Sequence, residues 1–371
     1  MSKKILLVSN TAWSIHNFRT GLLKSLLKQG YKVAVLAPSD DYVSFIKKLG
    51  CEYFDIKMNN KGLNPFGELI LVGRFYSKIK LINPDIILSF TIKPNLYGSF
   101  VARFLRIPIL INITGLGEGF SRGILLKKGL MAISKICFKK ANTAFFQNID
   151  DYNFFVENTL VEKRVAGLLP GSGVNVDVFL PMEKKQPNGL LKFCLLSRLL
   201  WDKGIEEYIE GAKLILEKHE NVKFYILGKI DSKNNKAVPK SYIEDWQSSG
   251  LIEYLGFSDN VWQHIREMDC IVLPSYYREG TPRSLIEAIA MGKPVITTNH
   301  IGCKEVVDDG INGYLCEIKN IDSLFKALDR FISLSENQRK NMGEESRKKA
   351  VSSFDEKLVI SKYHERIEMI Q

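Results

Sequence analysis

The sequence predicts an α/β fold of two doubly wound, Rossmann-like domains that face a cleft. Three observations support this prediction. The chain has 371 residues, which is long for a single hydrophobic core. Short apolar strands alternate with helical segments, a pattern typical of a parallel sheet with helices on both faces. A polar segment with two prolines, PMEKKQPNG (181–189), interrupts the alternation and reads as a linker.

The first domain is predicted over residues 1–180. The opening stretch MSKKILLVSN has too short an apolar run for a signal peptide, so we interpret it as a first strand. Leucines at helical spacing follow it up to Leu27. The predicted strands are KILLVS (4–9), YKVAVLAP (31–38), DIILSF (85–90), IPILINIT (107–114), TAFFQ (143–147) and VAGLLP (165–170).

The second domain is predicted over residues 190–353. A last helix, FDEKLVISKYHERIEMIQ (354–371), is predicted to join the first domain. Ligands of such sheets bind beyond the carboxyl ends of the strands. The predicted strands are LLKFCLLS (190–197), VKFYILG (222–228), IEYLG (252–256), CIVLP (270–274) and PVITT (294–298).

The composition is that of a folded globular protein, with 45% hydrophobic and 25% charged residues. Six scattered cysteines without a CxxC pair argue against a zinc site or a disulfide framework, so we expect buried, reduced thiols in a cytosolic protein. No run approaches ~18 apolar residues, so we expect no membrane span.

The positive charge is concentrated in the first half of the chain. Residues 1–180 contain 24 Lys and Arg against 12 Asp and Glu, whereas residues 181–371 contain 28 against 29. This asymmetry suggests a polyanionic partner such as a membrane surface, a phosphorylated lipid or nucleic acid. A basic face that is simply solvated is the alternative.

A glycine-rich turn follows the strand at 107–114. In GLGEGF (115–120) the third glycine of a G-x-G-x-x-G fingerprint is replaced by Phe120, and the loop after the first strand contains no glycine. A nicotinamide dehydrogenase is therefore disfavoured. Gly115, Gly117 and Gly119 still permit a close approach to a ligand, and a plain strand-to-helix turn is the alternative.

Two cations follow the first strand of the second domain. In SRLLWDKG (197–204), Arg198 and Lys203 lie on the loop that leads into a helix. Cations beside a helix N-terminus at the carboxyl end of a strand suit a diphosphate, with the arginine as a two-pronged donor and the lysine as a point charge. A solvated loop is the alternative.

Two glutamates frame the next loop, PSYYREGTPRSLIEA (274–288). Glu279 precedes a helix that is predicted to begin near Pro282, and Glu287 falls in its second turn. Carboxylates accept hydrogen bonds from pairs of hydroxyl groups, so the two could hold sugars at either end of one ligand. Combined with Arg198 and Lys203, they indicate a nucleotide-sugar site; surface charge is the alternative for either glutamate alone.

These segments, with GKPVITTNHIGCKEVVDDGINGYL (292–315), resemble family 4 retaining glycosyltransferases of the GT-B fold. The resemblance covers nearly all of the chain and is strongest over 190–320. The first half resembles bacterial enzymes that build O-antigen, capsule or protein-linked glycans on undecaprenyl diphosphate. The runs that carry this second likeness are NFR (17–19), KPNLYGSFVA (93–102), TGLG (114–117) and GSGVNVDVF (171–179).

The resemblance implies roles for the residues of the second domain. Arg198 and Lys203 would bind the donor diphosphate and stabilise the leaving group. Glu287 would hold the ribose and Glu279 the transferred sugar. Backbone N–H groups of Gly280, Thr281 and Arg283 would lie nearby, and the base would contact loops after Gly228 and around Gly256 and Phe257.

Enzymes of this family retain the anomeric configuration and need no metal or other cofactor. The chain contains no Asp-x-Asp, and fixed cations would stabilise the leaving group instead. The first loop lacks the glycines of many relatives, and NITGLG lacks a histidine that many of them carry. The acceptor-side catalyst is therefore left open among five candidates: His16, Arg19, Lys93, Asn112 and Thr114.

A basic helix is predicted over SRGILLKKGLMAISKICFKKA (121–141). Lys128, Lys135 and Lys139 share one face. An apolar stripe opposite them is formed by Leu126, Leu130, Ile133 and Cys137, with Leu125 and Ile136 on its flank. We interpret the basic face as a contact for anionic membrane lipids, with a helix packed on its own sheet as the alternative. Nucleic acid is disfavoured because no aromatic platform accompanies the basic residues.

The functional hypothesis is a hexosyltransferase that moves an N-acetylhexosamine or a hexose from a UDP-sugar to an undecaprenyl-diphosphate-linked saccharide. It would act in the cytoplasm, peripherally on the inner face of the cell membrane, in surface polysaccharide or glycan synthesis. One alternative is a transferase that uses a GDP-sugar or a soluble acceptor. Another is a nucleotide-sugar-binding protein without catalysis.

Overall fold

The computed structural model describes residues 2–59, 64–116, 120, 123–183, 189–231 and 234–370. The chain forms two compact units. Unit 1 comprises Met1–Gly173 with Glu356–Gln371, and unit 2 comprises Val174–Asp355. Most of the predicted linker, Gly117 and Gly119 of the glycine-rich turn, and the first two residues of the predicted basic helix lie outside the described residues.

Unit 1 contains a parallel sheet of seven strands in the order β3-β2-β1-β4-β5-β6-β7. The order reverses next to β1, which is the signature of a doubly wound sheet. The strands are β1 (Lys4–Val8), β2 (Lys32–Ala37), β3 (Glu52–Asp55), β4 (Ile86–Phe90), β5 (Ile109–Ile113), β6 (Thr143–Phe146) and β7 (Ala166–Leu168).

Six helices alternate with these strands and cover both faces of the sheet. Leu6 and Val8 of β1 face the core under α3, α4, α5 and α6, whereas Ile5 and Leu7 face the core under α1 and α2. The helices are α1 (Ala12–Lys28), α2 (Val43–Lys48), α3 (Pro65–Ile82), α4 (Ile92–Leu105), α5 (Ile124–Phe138) and α6 (Ile149–Glu157).

Unit 2 contains a parallel sheet of six strands in the order β10-β9-β8-β11-β12-β13. Its strands are β8 (Leu191–Leu196), β9 (Val222–Leu227), β10 (Glu253–Tyr254), β11 (Cys270–Leu273), β12 (Val295–Thr298) and β13 (Gly313–Cys316). The prediction of two Rossmann-like α/β domains is confirmed.

The helices of unit 2 also pack on both faces of their sheet. Tyr208 of α7 and Phe331 of α11 are buried on one face, and Leu285 of α10 is buried on the other. The helices are α7 (Ile205–Lys218), α8 (Lys240–Ser248), α9 (Val261–Glu267), α10 (Arg283–Ala290), α11 (Ile321–Ile332) and α12 (Glu336–Ser353).

The chain ends in α13 (Glu356–Glu368), which belongs to unit 1. Val359, Tyr363 and Ile367 recur at helical spacing, are buried, and pack with α1 on the sheet. The predicted last helix is therefore present. No helix in the described ranges is long and apolar enough to cross a bilayer.

Residues 174–180 were predicted in the first domain but lie in unit 2. Val174 and Val176 are buried in its core. The Arg347 guanidinium of α12 donates hydrogen bonds to the carbonyl oxygens of Val176 (2.9 Å) and Phe179 (2.8 Å). These contacts attach the segment to unit 2, which composition alone does not reveal.

Two strands were missed in the sequence, and both are edge strands. EYFD of β3 carries a charge at each end, and GYLC of β13 begins with glycine. Edge strands need less apolar surface than central ones, so their periodicity is weak. All six cysteines are free and buried, as expected.

Candidate functional site

The candidate donor site lies at the carboxyl edge of the unit 2 sheet. Three neighbouring strands, β8, β11 and β12, end there, and the loops that follow them contain residues 197–203, 274–282 and 299–303. Because the strands are parallel, their carboxyl ends meet at one edge and bring these loops together. The predicted donor-site residues lie on the first two loops or at the start of α10.

Backbone hydrogen bonds join the first two loops. The carbonyl oxygen of Asp202 accepts from the N–H groups of Tyr276 (3.1 Å) and Tyr277 (3.0 Å) and from the Ser275 hydroxyl (3.2 Å). Gly204 follows with φ +75°, and a Cβ at this position would lie 2.1 Å from the Pro274 carbonyl oxygen. Glycine is therefore required for the start of α7 to pack against the end of β11.

The third loop packs against the backbone of Glu279. Gly302 has φ +84°, and a Cβ there would lie 1.8 Å from the Gly280 carbonyl oxygen and 2.8 Å from the Glu279 Cβ. This loop therefore fixes the turn that carries Glu279. No sequence motif indicated a role for Gly302.

Lys203 and Glu279 form an ion pair within this edge. Their side chains are only 8% and 13% exposed. The Lys203 ammonium also lies 4.7 Å from the centroid of the Tyr277 ring, and the Ser275 hydroxyl donates to the Glu279 carboxylate at 3.3 Å. The two residues that were predicted from separate motifs are thus in direct contact.

Glu287 is paired with Arg283 one turn earlier on α10. The Arg283 Nε donates to the Glu287 carboxylate at 2.7 Å. Burial raises the pKa of the Glu287 carboxyl above its usual range, and the Arg283 guanidinium partly opposes this rise. The prediction concerned only the backbone of Arg283; its side chain orients Glu287.

Arg198 lies on the same loop as Lys203 but is exposed. Within the described part of the chain, its guanidinium makes no hydrogen bond or ion pair with another side chain. Its five N–H donors are therefore available to a ligand. Gly280 and the buried Thr281 lie in the turn immediately before α10.

Asn112 was predicted on the acceptor side, and the structure buries it completely. Its side-chain amide donates to the Tyr363 hydroxyl at 2.7 Å, and its backbone carbonyl oxygen accepts from the side-chain amide of Asn95 at 2.8 Å. Gln147 donates to its side-chain oxygen at 3.4 Å. Asn112 thus connects the end of β5 to α13.

Arg19 lies beside this network and is also buried. Its guanidinium stacks 4.5 Å from the centroid of the Phe90 ring, and that ring packs against Tyr363. Burial raises the pKa of the Tyr363 hydroxyl, and the Arg19 charge partly opposes the rise. Arg19 and Asn112 therefore both contribute to the packing of α13 on the sheet, and their contact with an acceptor stays a prediction.

Lys93 is buried as well, at the first turn of α4. Its ammonium pairs with Glu68 of α3 at 2.5 Å and donates to the Asn59 carbonyl oxygen at 2.8 Å. The Tyr97 hydroxyl donates to the same carboxylate. Lys93 therefore links α3 to α4.

The remaining acceptor-side candidates are His16 and Thr114, both half-buried. The His16 ring packs against those of Tyr42 and Phe45, with centroids at 5.2 and 4.8 Å. Thr114 follows β5 directly, at the carboxyl edge of the unit 1 sheet. All five candidates lie in unit 1, His16 and Arg19 on α1, Lys93 on α4, Asn112 on β5 and Thr114 directly after it.

The predicted basic helix is α5, and its packed face differs from the prediction. Ser134, Cys137 and Phe138 are buried, whereas Ile133 is exposed. The predicted stripe therefore places Ile133 wrongly, because the packed face of α5 runs through Leu130, Ser134, Cys137 and Phe138. Its exposed surface carries isoleucines as well as lysines.

In the described part of the chain, no three His, Cys, Asp or Glu side chains are grouped so as to hold a metal ion. The cations at the carboxyl edge of unit 2 are instead the groups that can neutralise a diphosphate.

Two family models match the chain. Residues 181–349 match the family described as Glycosyl transferases group 1, and residues 4–148 match the family described as Glycosyl transferase 4-like. Each of the two matches lies mainly in one structural unit.

Curated relatives are similar over much of their length. The N,N'-diacetylbacillosaminyl-diphospho-undecaprenol alpha-1,3-N-acetylgalactosaminyltransferase of Campylobacter jejuni is 27% identical over 96% of each chain. The UDP-Gal:alpha-D-GlcNAc-diphosphoundecaprenol alpha-1,3-galactosyltransferase of Escherichia coli is 25% identical over 69% of this chain and 68% of its own.

Solved structures share the fold. A glycosyltransferase from Rickettsia africae has a TM-score of 0.78 at 20% identity and covers 100% of this chain and 98% of its own. HepE from Anabaena, in complex with UDP and glucose, has a TM-score of 0.77 at 16% identity and covers 99% of each chain.

Proposed function

We propose that this protein transfers a sugar from a UDP-sugar to an undecaprenyl-diphosphate-linked saccharide, because residues 181–349 match the family described as Glycosyl transferases group 1 and the chain has the GT-B fold. The sugar is an N-acetylhexosamine or a hexose, and the anomeric configuration is retained. The observation that carries the proposal is a pair of ion pairs at one sheet edge, Lys203 with Glu279 and Arg283 with Glu287, with Arg198 exposed on the same loop as Lys203.

Unit 2 binds the donor in this proposal. The diphosphate lies against Arg198 and Lys203 at the start of α7, where the helix dipole adds positive potential. As the bond to the anomeric carbon breaks, negative charge grows on the departing phosphate. Lys203, which is buried and held in place by its ion pair, stabilises that charge without reorganising, and the exposed Arg198 adds a second cation.

The glutamates hold the two sugars of the donor. Glu287 accepts hydrogen bonds from the ribose hydroxyls while Arg283 keeps it oriented, and Glu279 contacts the transferred sugar. Lys203 is paired with Glu279 in the structure, so the diphosphate would share Lys203 with this carboxylate. Donor binding therefore exchanges an internal ion pair for contacts at both ends of the ligand.

Retention is consistent with the relatives, whose names specify α linkages made on diphospho-undecaprenol saccharides. UDP-hexoses of the gluco and galacto series carry an α-linked diphosphate, so an α-linked product keeps that configuration. A front-face substitution, in which the departing phosphate takes the proton of the acceptor hydroxyl, needs no side-chain nucleophile.

The acceptor is proposed to meet unit 1, and the enzyme to act peripherally on the inner face of the cell membrane. The names of the same relatives support a lipid-linked acceptor. The excess of Lys and Arg in residues 1–180 supports an anionic surface as a partner.

A donor panel tests the proposal. Purified protein is incubated with UDP- and GDP-sugars and an undecaprenyl-diphosphate-linked acceptor pool, and released UDP or GDP is measured. Release from one UDP-sugar that depends on the acceptor is the expected result. Release from a GDP-sugar alone would overturn the assignment of UDP-sugars as donors. No release from any donor, although UDP binds, would overturn the catalytic role.

A further inference from the structure

Three adjacent helices of unit 1, α3, α4 and α5, form one outer layer with an unusual charge. They contain 18, 14 and 15 residues, with eight Lys and Arg but a single acidic residue, Glu68. Glu68 is neutralised by its ion pair with Lys93. The outer surface of this layer is therefore uniformly basic.

The same layer exposes large apolar side chains along its helices: Leu81, Phe104, Ile133 and Ile136 lie in the later turns, and a further set lies in the first turns. Phe66, Leu69 and Ile70 in the first turns of α3, and Ile124 and Leu125 in the first turn of α5, are between 57% and 87% exposed. Ile92 at the start of α4 is 37% exposed. We call these six residues the apolar band.

Topology places the band along the carboxyl edge of the unit 1 sheet. Each of the three helices ends within a few residues of the amino end of the next strand: Ile82 before β4, Leu105 before β5 and Phe138 before β6. The first turns therefore lie at the opposite, carboxyl edge. Because α4 packs between α3 and α5, the three starts form a continuous row.

The chemistry of the layer selects its partner. A second copy of this chain would oppose two surfaces of the same positive charge, which repel. Nucleic acid would satisfy the cations but would leave aliphatic side chains in water. An anionic bilayer suits both, because its headgroups attract lysines and its acyl boundary accepts apolar side chains.

Lysines on the same helices can contact the lipid headgroups while the apolar band is inserted. Lys127 and Lys128 follow Leu125 within one turn, and Lys78 and Lys80 lie farther along α3. Long lysine side chains can extend from an inserted helix end to the headgroups while their methylenes stay among apolar groups.

We propose that the apolar band inserts into the acyl boundary of an anionic membrane and fixes the carboxyl edge of the unit 1 sheet at the bilayer surface. The inference rests on the proposed function in one respect: a lipid-linked acceptor would explain why the enzyme has to lie at the membrane surface. Insertion, and not basic attraction alone, is the new element. It commits the starts of α3 and α5 to the membrane.

Vesicle flotation tests the insertion. The full-length protein is floated with vesicles of phosphatidylcholine and phosphatidylglycerol. The variants Phe66→Ser/Leu69→Ser and Ile124→Ser/Leu125→Ser should each lower the partition coefficient by at least about tenfold, because the lost apolar burial is large. The control Ile311→Ser, a 56% exposed position in unit 2, should leave it unchanged.

Charge variants separate insertion from attraction. Lys127→Gln/Lys128→Gln should weaken binding at low salt and flatten its dependence on salt. Band variants that bind as tightly as the wild type would overturn the proposal, since the contact would then be electrostatic alone. A wild-type protein that does not float with anionic vesicles would also overturn it.

A fluorescent probe gives an independent readout if the serine variants do not fold. Phe66→Trp should show a blue-shifted emission with vesicles and additional quenching by brominated lipids, whereas Ile311→Trp should show neither. An emission of Phe66→Trp that vesicles leave unchanged would contradict insertion.

The two proposals fail in different ways. Sugar transfer to a short, water-soluble acceptor analogue reports on the active site without a membrane. Vesicle binding without transfer to any acceptor would refute the proposed function and leave insertion standing. Transfer by band variants that still float like the wild type would refute insertion and leave the function standing.

Discussion

The carboxyl edges of the two parallel sheets carry similar polar residues that are arranged for different purposes. In unit 2, Lys203 pairs with Glu279 and Arg283 pairs with Glu287, and Arg198 is exposed on the loop that contains Lys203. In unit 1, Asn112 and Arg19 are buried against Tyr363 of α13. The same location in one fold thus holds the proposed donor site in one unit and a buried hydrogen-bond network in the other.

The two edges differ in exposure because different elements pack over them. In unit 1, α13 returns from the end of the chain and supplies Tyr363 as a buried partner. In unit 2, the loops after β8 and β11 bond to each other through backbone groups, which leaves Arg198 exposed beside the pair of Lys203 and Glu279. Substitutions at the two edges should therefore separate loss of activity from loss of stability.

The largest effect is expected for Lys203→Ala. It removes a cation from the leaving diphosphate, so transfer should fall below detection, by more than about 1,000-fold. Far-UV circular dichroism should remain that of a folded protein. The matched control is Lys293→Ala, a similarly buried lysine at the amino end of β12 that donates to the Arg266 carbonyl oxygen; its activity should be retained. Full activity of folded Lys203→Ala would remove the residue from the site.

Arg198→Ala should reduce transfer by about 100-fold with almost no change in melting temperature. The exposed guanidinium contributes little to stability, whereas a bidentate contact to phosphate would be lost. Arg198→Lys should recover part of the rate, because lysine keeps the positive charge but lacks the two parallel N–H donors of the guanidinium. A large fall in melting temperature would show that Arg198 has a structural role instead.

Asn112→Ala is expected to act on stability. It leaves the Tyr363 hydroxyl and the Gln147 amide without their partner in a buried network, at a cost of about 2–4 kcal/mol. Chemical denaturation measures this cost, and a UDP-induced shift of the melting temperature checks that the donor site is intact. A stable Asn112→Ala protein without transfer activity would return Asn112 to the acceptor side.

Tyr363→Phe should cost about 1–2 kcal/mol, since it removes one hydrogen bond and leaves the Asn112 amide buried. The ring contacts with Phe90 and Phe145 remain. Its effect and that of Asn112→Ala should be less than additive in a double-mutant cycle. Additive losses would mean that the two groups do not act through one bond.

The smallest effect is expected away from both edges, at Asp329. Hydrogen bonds from His219 and Lys218 hold the pKa of its carboxyl below the usual range. Because this carboxyl has a lower pKa in the folded than in the unfolded protein, it stabilises the fold at pH values above its unfolded-state pKa. This stabilisation is lost as the pH falls through the folded-state pKa. Asp329→Asn should cost no more than about 1 kcal/mol at neutral pH. The difference from wild type should disappear in acid; a constant difference across pH would contradict this origin.

The sequence predicts the repeated β-α order of both units because central strands are continuous apolar runs between turn residues. It also predicts the donor cluster, since Arg198, Lys203, Glu279 and Glu287 follow strands whose carboxyl ends must meet. Short motifs at strand ends are sufficient when the partners come from neighbouring strands of the same sheet.

Long-range packing accounts for what the sequence did not predict. Nothing near Asn112 indicates that Tyr363, 251 positions later, supplies its partner. The pairing of Lys93 with Glu68 and the backbone contact of Gly302 with Gly280 likewise join segments far apart in the chain. A polar residue at a strand end therefore identifies an edge, but its partners decide whether it reaches a ligand.

Donor binding at the carboxyl edge of unit 2 is expected to be independent of the hydrogen-bond network in unit 1. This expectation is tested most directly by the shift in melting temperature that UDP produces in the wild type and in three variants. UDP should raise the melting temperature of the wild type and of Tyr363→Phe by similar amounts, and should leave Lys203→Ala and Glu287→Ala unchanged. Equal shifts in all four proteins, or a shift lost only in Tyr363→Phe, would show that UDP does not bind at the carboxyl edge of unit 2 as we propose.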